Sequence, residues 1–327
     1  MESALEARAV RGSMQDRPAI VVMQGQAQTQ IKSDTLIVGV YSSPSRRGKT
    51  IVANMYEGIK ARSADVPIVR DHKLHAKADN FRAVVFYGLR DNLLALYLEY
   101  RRKNVATMFF DMGYWGRGKG EMLSGYHRVA INALQPNAYF WSLNAPEDRF
   151  RRFRLRIHDW RKSGREVFIA GLSDKNAGVL HRLGLIHTSD PTRYAEWMRD
   201  EIRKHTDRPI AYRPKPSWKG ARPINGTRYA VKPGLDGLLW ELRDAWAVVT
   251  FRSNMTISGL MQGIPCFVVG DGVAGLMGYA DLSKIEEPLY PDNREQFCFN
   301  LAYCQWHFQE MKDGEVWLYY KNCGLIP

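Results

Sequence analysis

The feature that most constrains this chain is a repeated alternation. Short runs rich in β-branched and aromatic residues are followed by longer stretches whose apolar residues recur every three to four positions. Leu36-Ile-Val-Gly-Val-Tyr-Ser42 reads as a buried strand, Ser43-Pro-Ser-Arg-Arg-Gly48 as a turn, and a helix is expected from about Lys49 to Ala64. Ala83-Val-Val-Phe-Tyr-Gly88 is the next strand. Asn92 to Lys103 is a helix with Leu93, Leu94, Tyr97 and Leu98 on one face, and Ala106-Thr-Met-Phe-Phe-Asp111 is a third strand. Strands separated by helices of this length imply a parallel sheet with right-handed crossovers, an α/β fold.

The alternation stops in an arginine-rich stretch (Arg149, Arg151, Arg152, Arg154, Arg156, Arg161, Arg165) and then restarts. Glu166 to Gly171 is a strand, Thr192 to His205 a helix, and Pro209 to Arg213 a strand. Ala247 to Thr250 is a strand, Thr256 to Met261 a short helix, and Ile264 to Val269 a strand; residues 292–312 read as a closing helix. The expected organisation is a polar arm over 1–34 with one short strand at Ala19 to Met23, a first α/β domain over 35–160, and a second over 161–310. A tail over 311–327 returns to the first domain. With 327 residues, 45% of them hydrophobic, each half can bury its own core.

No window holds the roughly 18 to 20 apolar residues a membrane span needs, and the first 35 residues carry no apolar leader, so a soluble cytoplasmic protein with no membrane partner is expected. Cys266, Cys298, Cys304 and Cys323 form no C-x-x-C pair and have no His at zinc spacing, which suggests reduced thiols rather than a disulfide framework or zinc site. The net charge of +13 attracts polyanions: nucleic acid, or a substrate carrying phosphates.

Three segments follow strands directly and carry groups suited to phosphate. Arg252-Ser-Asn254 and Thr256 stand where a strand meets a helix N-terminus, whose free amides and dipole favour anions; ordinary capping is the alternative. Arg213-Pro-Lys215 places two cations at a strand end. Gly171-Leu-Ser173 and Lys175 bring a flexible glycine, a hydroxyl and another cation. In the first half, Asp111 ends a strand and is a candidate general base if its surroundings raise its pKa toward neutrality; His127 is the other candidate. Between and around them, Tyr114, Trp115, Arg117, Lys119, Tyr126 and Arg128 mix aromatic faces with cations, a composition suited to a base beside a phosphate backbone, to a sugar acceptor, or to a lid over the core. Arg46, Arg47 and Lys49 lie in a turn whose Gly48-Lys49-Thr50 matches the end of a P-loop. Ser43 stands at the first glycine position, and only Phe109-Phe110-Asp111 offers a partner strand.

The order strand, Ala-Gly-Leu-Ser-Asp174, helix, Arg213-Pro-Lys-Pro216, then Ser253-Asn-Met-Thr256 before Gln262-Gly-Ile-Pro265 resembles the donor domain of GT-B glycosyltransferases over roughly residues 165–312. The resemblance implies two Rossmann-like domains facing a cleft, a C-terminal helix crossing back, and a nucleotide-sugar (a UDP-sugar first) as co-substrate. It implies neither a tightly bound cofactor nor a metal. Where the family often places a Glu, this chain has Ser258 and Gly259. Combined with the charge and the aromatic loop, the resemblance points to double-stranded DNA with hydroxymethylated bases as acceptor. That would be the design of viral DNA glucosyltransferases, working in the host cytoplasm if phage-encoded. A surface polysaccharide is the alternative acceptor, and a non-catalytic nucleic-acid-binding protein on a degenerate transferase fold is the reading from another class.

Overall fold

The computed structural model describes residues 35–74, 77–89, 92–118, 125–136 and 139–327. The expected arm and its strand at Ala19 to Met23 lie outside the described residues. Two sheets organise the rest. The first half of the chain supplies β1 (Ile37–Tyr41), α1 (Arg46–Arg62), β2 (Val66–Arg70), β3 (Ala83–Tyr87), α2 (Leu93–Arg102), β4 (Ala106–Met112) and β5 (Tyr126–Ile131). After α3 (Asp148–Arg151) come β6 (Glu166–Ala170), α4 (Asp174–Arg182), α5 (Pro191–Arg203), β7 (Ile210–Arg213), β8 (Arg228–Tyr229), α6 (Gly234–Glu241), β9 (Ala245–Thr250), α7 (Met255–Met261) and β10 (Cys266–Val268). The chain closes with α8 (Arg294–Tyr303), β11 (Gln305–His307), α9 (Phe308–Lys312) and α10 (Glu315–Asn322).

The first sheet has the order β11-β5-β4-β3-β1-β2 and the second the order β10-β9-β6-β7-β8. All pairings in the second sheet are parallel, as are those among β1 to β4. The reason lies in the strands themselves: Val38, Val40, Val84, Val85, Val167, Phe168 and Val248 are fully buried, as strands covered by helices on both faces must be. β5 breaks the pattern by running antiparallel to β4. Its Tyr126-His-Arg128 opening looks like loop, yet Arg128 faces Asp111 across the ladder and is buried there.

The closing helices belong physically to the first lobe. β11 adds to the first sheet beside β5, and α9 and α10 lie along α1. Gly58 permits that contact: a Cβ there would sit 2.0 Å from the carbonyl oxygen of Met311. Asp65 ties the return down, accepting from Trp317 Nε1 at 2.7 Å, Lys321 Nζ at 2.8 Å and the Leu36 amide at 3.0 Å. Burial alone would raise its pKa, but these donors bring it below the usual carboxylate value. The expected closing helix over 292–312 is two helices with a strand between them, because Gln305–His307 is drawn into ladder bonding with β5.

Candidate functional site

In open parallel sheets ligands gather at the carboxyl ends of strands. Here the carboxyl ends of both sheets open on one cleft of about 720 Å³, lined by Ser43, Tyr87, Asp111 and Arg128 from the first lobe and by Lys175, Asn176, Ser189 and Arg252 from the second. A second cavity of about 650 Å³ lies at the amino ends of β3 and β4, beside Arg82, Lys103 and Asn132, across the sheet from these groups.

At the floor of the cleft, sheet register places Asp111 opposite Arg128. The guanidinium donates to Asp111 Oδ2 at 2.7 Å and to Gln135 Oε1 at 2.7 Å, while the Met112 amide donates to Asp111 Oδ1 at 2.7 Å. Arg128's side chain is 7% exposed and Asp111's 42%, so the acid opens toward the cleft from a buried cation. Desolvation would raise the Asp111 pKa. The Arg128 charge, the Met112 amide and the Lys215 charge outweigh it, and the carboxyl titrates below its ordinary value. This corrects the expectation that Asp111 is tuned toward neutrality: it stands ionised throughout the neutral range. Lys215 follows β7 in the opposite lobe, so its effect on Asp111 crosses the cleft; its own pKa is lowered chiefly by burial, with Asp111 acting the other way.

His127 sits differently. It is fully buried, stacked on Phe308 at 4.6 Å and edge-on to Tyr87 at 6.1 Å, and its Nε2 has no hydrogen-bond partner among the described residues. Burial first, and then the Arg47 charge, push its pKa down to about 4. The ring is enclosed and neutral, which removes it as a base reaching an acceptor in the cleft. Arg47 reaches Met112 Sδ and acts on Tyr87, whose phenol is pushed up to about 12 by burial and the Asp111 charge. Arg46 and Lys49 are exposed on α1. The P-loop-like turn closes as an ordinary cap: Ser45 Oγ accepts from the Gly48 amide at 3.0 Å, and a Cβ at Gly48 would meet Ser43 at 2.3 Å.

On the second lobe, three residues expected to hold phosphate serve the chain's own backbone instead. Arg213, 7% exposed, donates to the carbonyls of Lys232 at 2.8 Å and Ala230 at 3.4 Å, and burial lowers its pKa. Thr256, 1% exposed, donates its hydroxyl to the Ser253 carbonyl at 2.7 Å. Ser253 Oγ accepts from the Met255 amide at 3.3 Å, while the side chain of half-buried Asn254 makes no cap bond. Arg213 is thus committed to the backbone beyond β8 rather than left open for a phosphate. Ser173 caps α4 through the Asn176 amide at 3.3 Å, and Gly171 packs against the ring of Tyr212. Gly259 is likewise packed: a Cβ there would approach Val248 to 2.9 Å.

Arg252 is the exception. It lines the cleft with a side chain 10% exposed, pairs with Asp271 at 2.8 Å through Nε, and leaves Nη2 buried with no hydrogen-bond partner among the described residues. Its pKa is lowered, by burial before anything else, and it interacts with Arg128, Asp111 and Tyr97 of the first lobe.

The aromatic loop of the first lobe is built inward. Tyr114 is buried. Trp115 packs on Phe150 at 5.3 Å and Phe153 at 5.6 Å, and Tyr126 on Phe153 at 4.7 Å. Arg117 donates to the Gly113 carbonyl, and Lys119 lies outside the described residues. Gln305 holds the loop by accepting from the amides of Tyr114 at 2.7 Å and Trp115 at 3.2 Å. Sequence reasoning missed Gln305, Gln135, Tyr87 and Asp271. Only Asp271, in Gly270-Asp-Gly272 after a strand, carried a local signal.

No family model and no curated protein matches the chain. Among solved structures it is similar to the β-Kdo 2,7 transferase of Thermosulfurimonas dismutans KpsC, over 88% of this chain and 100% of that one, with a TM-score of 0.51 at 12% identity. The β-Kdo 2,4 transferase of the same KpsC aligns over 82% and 91%, with a TM-score of 0.48 at 14% identity. Methanocaldococcus jannaschii UDP-GlcNAc 2-epimerase, solved with UDP-GlcNAc and UDP, aligns over 88% and 99% with a TM-score of 0.27 at 12% identity. At these identities the likeness is one of fold. The chain has a GT-B-like architecture of two Rossmann-type lobes facing a cleft, with its C-terminal helices crossing back, as its sequence implied.

Proposed function

We propose that this chain is a glycosyltransferase that moves a sugar from a phosphate-bearing donor, a nucleotide-sugar, to a hydroxyl acceptor in the interlobe cleft. The observation that carries this reading is the buried, partnerless Nη2 of Arg252 beside the Asp111–Arg128 pair. A desolvated guanidinium nitrogen left without a hydrogen-bond partner is costly unless an anionic ligand supplies one. In this reading Arg252, with Lys175 and Lys215, stabilises charge that builds on the leaving phosphate. Asp111, ionised and open to solvent, accepts the acceptor's proton as its oxygen attacks the anomeric carbon, and the donor C–O bond breaks with its electron pair going to the phosphate.

A saccharide hydroxyl is the acceptor class we put first. The aromatic side chains that would stack an extruded base are turned into the lobe's own packing, and the solved structure that shares the fold at TM-score 0.51 is a transferase of a sugar. A hydroxymethylated base in DNA is the second reading, favoured by charge. Residues 1–34 balance four basic against four acidic side chains, so the +13 falls on the two lobes.

Incubating the protein with a panel of nucleotide-sugars, oligosaccharides and hydroxymethylated duplex DNA, with mass spectrometry of the acceptors, tests this. A saccharide mass increase of one sugar is expected. Modification of DNA alone would reverse the order of acceptors, and no donor turnover with any acceptor would defeat the proposal.

A further inference from the structure

Asp111 meets the cleft with Arg128 behind it, so whatever holds Arg128 decides how its charge reaches the acid. The guanidinium is buried, and its Nε has no hydrogen-bond partner among the described residues. Its two terminal nitrogens therefore set its place: one donates to Asp111 Oδ2 and the other to Gln135 Oε1, each at 2.7 Å. Gln135 is itself buried, four residues beyond β5, on a turn that is pinned on both sides. Asn132 takes a φ of +58°, which Asn adopts more readily than most residues. Its Oδ1 accepts from the Thr107 amide and from Arg101 Nη1, each at 2.9 Å. Leu134 packs in one apolar cluster with Phe109 and Leu93. The turn thus brings the Gln135 amide back to Arg128.

An amide does here what neither an apolar side chain nor an acid would do. Gln135 uses its oxygen alone: Nε2 is buried with no hydrogen-bond partner among the described residues, a cost that an apolar side chain would avoid while giving Arg128 no anchor. A carboxylate would anchor Arg128 too, but it would share the guanidinium's charge and stand as a second negative group beside Asp111. A neutral acceptor fixes the cation and leaves its charge to the cleft acid.

We propose that Gln135 is a positioning residue of the cleft: its amide oxygen fixes the Arg128 guanidinium against Asp111, and its neutrality leaves that guanidinium's charge to Asp111. The effect on transfer rests on the reading of Asp111 as proton acceptor, whereas the effect on the Asp111 carboxyl itself needs neither donor nor turnover.

Carbon-13 NMR of protein labelled at its aspartate carboxyl carbons tests this, with Asp111→Asn identifying the signal. The carboxyl is followed directly because His127, pushed down to about 4, changes charge in the same acid range. The other charged or titratable groups around the acid are the cations Arg47, Arg117, Lys215 and Arg252 and the phenols of Tyr87 and Tyr114, and none of these exchanges a proton in acid. In Gln135→Glu the Asp111 titration should move up by about one pH unit or more, as a like charge requires. In Gln135→Met it should move up by less, because the cation keeps its charge and loses an anchor. Transfer at neutral pH should fall by about 10 to 10² fold in Gln135→Met with the KM for the donor unchanged, and should be largely restored in Gln135→Glu, which keeps an acceptor oxygen. An Asp111 titration unmoved in both variants would overturn the proposal, even where the unfolding midpoint drops, since Gln135 would then serve packing alone. Should Gln135→Glu fail to fold, Gln135→Met decides by the same signal. Absence of transfer in the wild type would count against the proposed function and leave the carboxyl titration to judge Gln135.

Discussion

On the first-lobe side of the cleft, Asp111 and Arg128 stand opposite one another in adjacent strands, with the acid 42% exposed and the cation 7%. On the second-lobe side, Arg213, Ser253 and Thr256 stand in or just after strands, where a sequence reader looks for phosphate ligands, yet their polar atoms bond the chain's own backbone. The difference teaches that a polar residue at a strand end is available to a ligand only if nearby backbone groups do not claim it first. Sheet register holds Asp111 against a partner and still leaves it facing the cleft. Loop geometry closes Thr256 onto Ser253. Among the second lobe's candidates, Arg252 keeps Nη2 without a hydrogen-bond partner among the described residues, because its ion pair with Asp271 runs through Nε.

The comparison can be broken first at Asp111. Asp111→Asn keeps an acceptor for Arg128 but cannot take a proton, and transfer should fall by on the order of 10² to 10⁴ fold with the far-UV circular dichroism unchanged. Activity near wild type would move the proton acceptor elsewhere.

A second test separates Asp111 from its strand neighbour His127. The folded His127 pKa, about 4, lies below an unfolded value of about 6.5, so between these pH values the unfolded chain binds a proton that the native chain does not. Stability therefore rises with pH through that window and is lost as pH falls through it, by about 3 kcal/mol in all. Urea unfolding of His127→Phe should lack this part of the acid sensitivity and keep transfer at neutral pH. Abolished transfer in a folded variant would return His127 to the site.

The smallest expected effect is at Arg213. Arg213→Met removes the donors to Ala230 and Lys232 and should cost about 1 to 3 kcal/mol of stability, with the KM for the donor unchanged. A large rise in KM without loss of stability would show that the guanidinium serves the ligand after all.

Much of the architecture was legible in the sequence. β1, β3, β4, β6, β7, β9 and β10 appear as short β-branched runs because strands covered on both faces have no polar alternation to obscure them. β2 was hidden by Pro67 and lies at a sheet edge, where a missing N–H is tolerated. β5 was hidden because it opens with Tyr126, His127 and Arg128, whose burial makes sense only once Asp111 and Gln135 stand beside them. β8 and β11 are two and three residues long, too short for any period to show. The site was legible in its residue types and obscure in its pairings. Gln305 holds the loop at Tyr114 from 191 positions away, and Lys215 reaches toward Asp111 from the other lobe. Contacts of that range follow from topology, which residue patterns imply only coarsely.

The central claim is that cations of the second lobe and the Asp111–Arg128 pair of the first form one anion-binding cleft. Thermal shift with UMP, CMP, UDP and GDP tests it most directly, because a ligand of the native state raises the unfolding midpoint. At least one nucleotide should raise the midpoint of the wild type and of Arg213→Met, and fail to raise that of Arg252→Ala. A shift that persists in Arg252→Ala and disappears in Arg213→Met would place the anion at the other end of the second sheet's loops and contradict the cleft described above.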